Sequence, residues 1–215
     1  MFGSDNVSGE SFQKIILIIL FLFLTLALIA TWMVPATGFE SSIYVSTPPV
    51  LWIALIFSEV AGISLVILAI ADDGFDERIL WKYGLLLVFL VYAVLLSLFM
   101  IRGYYMWVVG DPASHIGWIK EIINTGQIPS NLIYPALHIF VAEISMVTTL
   151  DLVFLHKFIP FFFGLISAVF IYLFMRVLSP NRITPAIAVI LACPFAFNIY
   201  LTLTPNDLSS LLLPL

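Results

Sequence analysis

Apolar residues run nearly unbroken through three early stretches of the chain, roughly 15–34, 49–71 and 83–102. At a rise of about 1.5 Å per residue, each is long enough to cross a hydrocarbon core of about 30 Å. The runs do not alternate apolar with polar positions, so they predict helices rather than the strands of a barrel. A polar interval follows, at 103–132, and two further apolar runs lie at about 155–178 and 184–203. Inside the interval, Ile116, Ile119 and Ile123 recur on one helical face while Lys120, Glu121 and Asn124 fall on the other. Asp111 is placed to cap this helix, Pro112 suits its first position and Gly126 its end. A helix of about thirteen residues is too short to span, so the pattern predicts an interfacial helix with its apolar stripe among lipid headgroups.

The stretch 132–150 is long enough to cross but carries His138 and Glu143. Charge decides between the two placements. Loop 35–48 has no Lys or Arg, whereas loop 72–82 has Arg78 and Lys82. Basic residues favour the cytoplasmic side, which puts the N-terminus inside and the Asp111 interval outside. If 132–150 is a juxtamembrane helix, Arg176 and Arg182 also fall inside, so that arrangement is the expected one. Residues 207–215 open a further apolar run that the sequence leaves incomplete, and the chain reads as the N-terminal part of a longer protein. Lys14 followed by a run to Val34 resembles a signal peptide only superficially; the run is longer than such a region, and an uncleaved first span is expected.

Composition agrees with an all-α, polytopic, multi-pass membrane protein. Hydrophobic residues make up 62% of the chain and charged ones 10%, against about 25% charged in a soluble domain. The net charge of −5 is carried by scattered acids, and no basic stripe for nucleic acid is present. The single Cys193 lies in an apolar run, where a buried small side chain is expected and no disulfide framework can form. Glu59 falls within the second span; a Glu packed against a neighbouring helix near Ser58 or Ser64 is the expected state, and a functional intramembrane acid the alternative.

With few charges available, those gathered at one interface carry the chemistry. The expected outer face collects Asp111, His115, Lys120, Glu121, Tyr134, His138, Glu143, Asn206 and Asp207. Asp111 and His115 are four residues apart, hence on one side of a helix. A carboxylate there can act as a general base or hold a hard divalent ion, and an imidazole beside it can bond a phosphate or a sugar hydroxyl. No compact zinc spacing such as H-E-x-x-H occurs.

Gly110-Asp111 with His115, then Asn124-Thr125-Gly126, Ile128-Pro129, Tyr134-Pro135-Ala136-Leu137-His138 and a later span ending in Thr204-Pro205 form an order of elements. That order resembles the GT-C superfamily of integral-membrane glycosyltransferases over roughly residues 85–215. It is most similar to archaeal and bacterial members that use polyprenyl-phosphate sugars, including the protein mannosyltransferase and aminoarabinose-transferase group. The resemblance implies a GT-C-like catalytic domain from 83 onward, preceded by two additional spans in 1–82. It implies inverting transfer of a sugar from a lipid-linked donor to an acceptor glycan, lipid or protein at the extracytoplasmic face of the cell membrane. Asp111 maps onto that family's essential acid of the first external loop. His115, Lys120, Tyr134, His138 and Asp207 are then the candidates for binding substrate, and Lys120 or Arg102 for meeting the leaving phosphate.

The chain departs from the pattern in having Pro112 where some members have a second acid. Asp111-Pro112-x-x-His115 is also similar to the first acidic motif of oligosaccharyltransferase catalytic subunits. On that resemblance Asp111 would help to hold Mg²⁺ or Mn²⁺. A transporter using Glu59, Glu143 and the histidines, or a non-catalytic membrane subunit, is the competing reading from a different class.

Overall fold

The computed structural model describes residues 4–38, 40, 42–71, 80–105, 111–196, 203–206 and 209. Among them every regular element is a helix: α1 (Ser4–Trp32), α2 (Ile43–Ser46), α3 (Pro49–Ala71), α4 (Leu80–Ile101), α5 (Asp111–Thr125), α6 (Ala136–Thr148), α7 (Leu152–Leu178) and α8 (Ile183–Ala196). Four helical segments, Lys14–Trp32, Pro49–Ala71, Trp81–Ile101 and Leu152–Leu178, are long and apolar enough to cross a membrane. The protein is therefore an all-α polytopic membrane protein. The outward faces of these helices carry large apolar side chains, among them Leu22, Ile56 and Phe162. Water would penalise such faces, and lipid does not.

The chain divides into two compact units, Met1–Tyr92 with Ile101–Gly103, and Ala93–Met100 with Tyr104–Leu215. In the first, α1 packs on α3, and Leu17 and Leu87 anchor a cluster with Phe21 and Leu65. The α3 and α4 backbones approach closely at Gly62 and Gly84; a Cβ built on Gly84 would stand 2.6 Å from the Gly62 carbonyl oxygen. Small residues permit such contact where no hydrophobic force drives helices together. Arg102 is buried and holds the loop after α1. It donates to Glu40 Oε1 at 2.5 Å and to the Val34 carbonyl, while its own carbonyl accepts from Ala36 N–H at 2.6 Å. Arg102 is thus committed to Glu40 and is not a cation presented to a phosphate, a partnership that a separation of 62 residues concealed. On α3, Glu59 is half-buried and the Ser58 hydroxyl beside it is buried without a hydrogen-bond partner among the described residues, so the pairing of these two does not form.

The second unit builds a core from α5, α6 and α7. Ile116, Ile119 and Ile122 of α5 pack with Leu137, Val141, Leu155, Ile159 and Leu203. The apolar stripe of α5 therefore meets protein rather than lipid headgroups. Its 3.6-residue period states only that one face avoids water, and both partners satisfy it. Helix α5 ends at Gly126, whose φ of +68° suits glycine. Helix α6, with 13 residues, reaches about 20 Å and falls short of a hydrocarbon core. It closes on Thr149 in the left-handed region, whose N–H bonds the Ser145 carbonyl at 2.8 Å. Asp151 then caps α7, its carboxylate accepting from the Val153 and Phe154 N–H groups at 2.8 and 3.3 Å. Inside α7, Pro160 cannot donate to the His156 carbonyl one turn earlier. Cys193 is buried in α8, as its apolar surroundings predict.

Candidate functional site

Helix α5 carries the acid, and the turn into α6 carries what supports it. Asp111 is the first described residue of α5. Its carboxylate stands 3.4 Å from His115 Nε2, one turn along the same helix. The α5 stripe seats α5 against α6, and this brings His115 Nδ1 to 2.7 Å from His138 Nε2. His138 lies in the first turn of α6, where its Nδ1 reaches the Tyr134 carbonyl at 3.1 Å. Trp118, one turn beyond His115, presents its indole edge-on to both imidazoles, with centroids 5.2 and 5.6 Å away. Four groups thus form one line, from carboxylate to backbone carbonyl, through two imidazoles that meet edge to edge with planes tilted by 32°.

Exposure falls steeply along that line. The Asp111 side chain is 74% exposed, whereas His138 is 0% exposed as a residue. Burial pushes the His138 imidazole below its ordinary range, and the neighbouring His115 adds to this. The Tyr134 carbonyl pulls the other way. Burial thus disfavours a positive charge on the His138 ring.

A cavity of about 930 Å³ opens over these groups. Its wall comes from three separate stretches, the start of α5, Asn131 to Tyr134 with His138, and Thr204, Pro205 and Asn206 with Ser209. Apolar surface from Leu132, Ile133 and Pro205 surrounds a small number of polar groups, the usual make-up of a site for an organic ligand. Tyr134 stands at the rim, 72% exposed.

Of the candidates read from the sequence, Asp111, His115, Tyr134 and His138 come together in this cavity, with Asn206 on its far wall. His138 Nδ1 meets the Tyr134 carbonyl and its Nε2 faces His115 Nδ1, while His115 Nε2 stands 3.4 Å from the exposed Asp111 carboxylate. Lys120 is exposed on α5 but does not line the cavity. Five residues past His115, it points about 140° away around the helix. Glu121 and Glu143 are likewise exposed and outside the lining. Asp207 lies outside the described residues, as does Gly110.

Trp118 was not anticipated, although its spacing of three and seven residues from His115 and Asp111 puts it on their face. Asn131 left no such signal, since it belongs to the loop between helices. Nor did His156 of α7, which is buried with its Nδ1 unpartnered among the described residues. Lys157 beside it donates to the Tyr104 carbonyl at 3.0 Å.

The carboxylate donors described in the cavity are few. A hard divalent ion calls for several oxygen ligands, and the described cavity offers a single carboxylate, one of whose oxygens faces His115. No three His, Cys, Asp or Glu among the described residues converge on one point.

No family model, curated protein or solved structure matches this chain.

Proposed function

We propose that this protein is a membrane glycosyltransferase that moves a sugar from a polyprenyl-phosphate donor to an acceptor hydroxyl at the extracytoplasmic face, with inversion at the anomeric carbon. The observation that carries the reading is the exposed Asp111 carboxylate at the mouth of a 930 Å³ cavity, backed by two buried imidazoles. A base must reach substrate while being held still, and an exposed carboxylate on a helix beside His115 suits both demands. The cavity belongs to a unit that also contains a membrane-crossing helix, α7. A lipid-linked donor presents its sugar and phosphate near such a boundary while its chain stays in hydrocarbon. The GT-C resemblance, which aligns Asp111 with that family's essential acid, supports the same assignment.

In this mechanism the Asp111 oxygen that does not face His115 accepts the acceptor's hydroxyl proton as that oxygen attacks the anomeric carbon. The bond from that carbon to the phosphate oxygen breaks on the opposite side, and its electron pair leaves with the lipid phosphate. General base help of this kind is worth about 10²–10⁴-fold in rate. Tyr134 at the rim offers an aromatic face to the sugar, and Asn206 an amide to its hydroxyls. The acceptor is a glycan, lipid or protein hydroxyl.

Photolabelling tests the site directly. A polyprenyl-phosphate sugar bearing a photoreactive group on the sugar, added to membranes with the full-length protein, is expected to label peptides from 111–138 and 203–209. Unlabelled donor should compete. Labelling confined to other parts of the chain, or not displaced by donor, refutes the assignment.

A further inference from the structure

The two hydrogen bonds of the imidazole pair fix which nitrogen of each ring is bare. The Tyr134 carbonyl can only accept, so the proton of His138 sits on Nδ1, 3.1 Å from it. A neutral His138 then has a bare Nε2, and burial disfavours a second proton on that ring. This Nε2 stands 2.7 Å from His115 Nδ1, so His115 donates there. Two protons satisfy both bonds with both rings neutral, and they leave His115 Nε2 as a lone pair. That nitrogen makes no hydrogen bond among the described residues; it stands 3.4 Å from the Asp111 carboxylate, and His115 is part of the cavity lining. The side chain is only 10% exposed, so a donor for this nitrogen must come from whatever occupies the cavity.

We propose that His115 is a substrate-binding residue of fixed polarity, held by His138 as its Nδ1–H tautomer so that Nε2 accepts a hydrogen bond from a substrate hydroxyl. His138 is the positioning residue. Asp111 and His115 Nε2 then present two acceptors 3.4 Å apart with no donor between them. An ionised phosphate carries only acceptors, and such a pair repels it. Hydroxyls donate, and the two oxygens of a sugar's vicinal diol stand about a hydrogen-bond length apart, so one diol can serve both acceptors. A lone hydroxyl serves only one of them. An ammonium also donates, but it would neutralise the carboxylate that has to act as base. The acceptor class this end of the cavity fits is therefore a sugar with adjacent free hydroxyls.

The choice of substrate rests on the glycosyltransferase reading and narrows it. One hydroxyl of the diol gives its proton to Asp111 as its oxygen attacks the anomeric carbon, and the electron pair of the broken bond leaves with the lipid phosphate. The neighbouring hydroxyl donates to His115 Nε2 and keeps its proton throughout. That second bond stops the acceptor from rotating about the first, so the attacking oxygen holds one bearing on the anomeric carbon. The leaving phosphate takes no hydrogen bond from His115 and is met by donors elsewhere in the lining, such as the Asn131 amide.

Two measurements on the full-length protein in lipid nanodiscs test the proposal. The first is ¹⁵N NMR of histidine-labelled protein at mildly alkaline pH, assigned through His115→Gln and His138→Phe variants. Expected are both rings protonated on Nδ1 alone, with a coupling from the His115 N–H to His138 Nε2. His138→Phe keeps the space filled but removes the acceptor, so the His115 proton should move to Nε2, toward Asp111. A proton on His115 Nε2 in the wild type, or a His115 spectrum unchanged by His138→Phe, overturns the proposal. The second is transfer from a polyprenyl-phosphate sugar to octyl glucoside and to its monodeoxy analogues. The wild type should lose about 3–10-fold in kcat/KM with an analogue lacking the hydroxyl beside the reacting one. In His115→Phe that loss should vanish, because nothing is left to receive the hydroxyl; discrimination kept by this variant also overturns the proposal. Failure of transfer with every lipid-linked donor, alongside the expected NMR spectra, would refute the glycosyltransferase reading and leave the His138-held tautomer standing.

Discussion

Replacing Gly84 by alanine is the sharpest test of how the first unit is held together. A Cβ on Gly84 would lie 2.6 Å from the Gly62 carbonyl oxygen and 2.9 Å from the Leu65 Cβ. Ordinary contact begins at 3.4 Å, so α3 and α4 would have to separate by about 0.8 Å at their crossing. Neither obstacle is the end of a flexible side chain, so the helices themselves must move. Overpacking of this kind costs roughly 1–3 kcal/mol. The opposing term is the better helix propensity of alanine, worth about 0.5–1 kcal/mol at a helix interior. The clash should win, and Gly84→Ala should lower the thermal midpoint of the protein in mild detergent, with Gly84→Leu lower still.

Gly117 supplies the control. It lies in the middle of α5, and a Cβ there meets nothing within 4 Å. Gly117→Ala should therefore keep the propensity gain and raise the midpoint slightly or leave it unchanged. Tryptophan emission provides a local readout, because Trp81 is buried one turn before Gly84. Equal midpoints for Gly84→Ala and Gly117→Ala would refute the close crossing of α3 and α4.

Two further outcomes follow from buried groups. Glu40→Ala leaves the Arg102 guanidinium buried with its carboxylate partner removed, which typically costs about 3–5 kcal/mol; a large loss of folded yield is expected, and Glu40→Gln should recover part of it. Because the His138 imidazole is held below its ordinary value of 6.5, the unfolded chain binds a proton there more readily than the folded one. Its contribution to stability is thus complete above that value and declines as pH falls through it; thermal midpoints across mildly acidic pH should drop, and His138→Gln should flatten the dependence.

The spans were legible because nothing else produces twenty residues without charge, and Lys14–Trp32, Pro49–Ala71 and Trp81–Ile101 begin and end within two residues of where the apolar runs do. Helix α5 announced itself through Pro112, its isoleucine spacing and Gly126. What covers that stripe was not readable, since a protein core and a lipid interface ask for the same side chains. The acid at Asp111 stood out as one of the few charges in the chain. Its supports did not: His115 and His138 are 23 residues apart, and only the packing of α5 on α6 makes them neighbours. Arg102 misled for the same reason, because a buried partner 62 residues away leaves no trace in local pattern.

Sugar transfer by the full-length protein with Asp111 changed to Asn tests the central claim most directly. Asparagine keeps the shape and exposure of the side chain but cannot take a proton from the acceptor. Membranes carrying the wild type should release polyprenyl phosphate and form a glycoside of inverted anomeric configuration. The Asp111→Asn protein, present at equal level, should be slower by roughly 10²–10⁴-fold. Undiminished transfer by that variant, or retention of configuration in the product, would contradict the account.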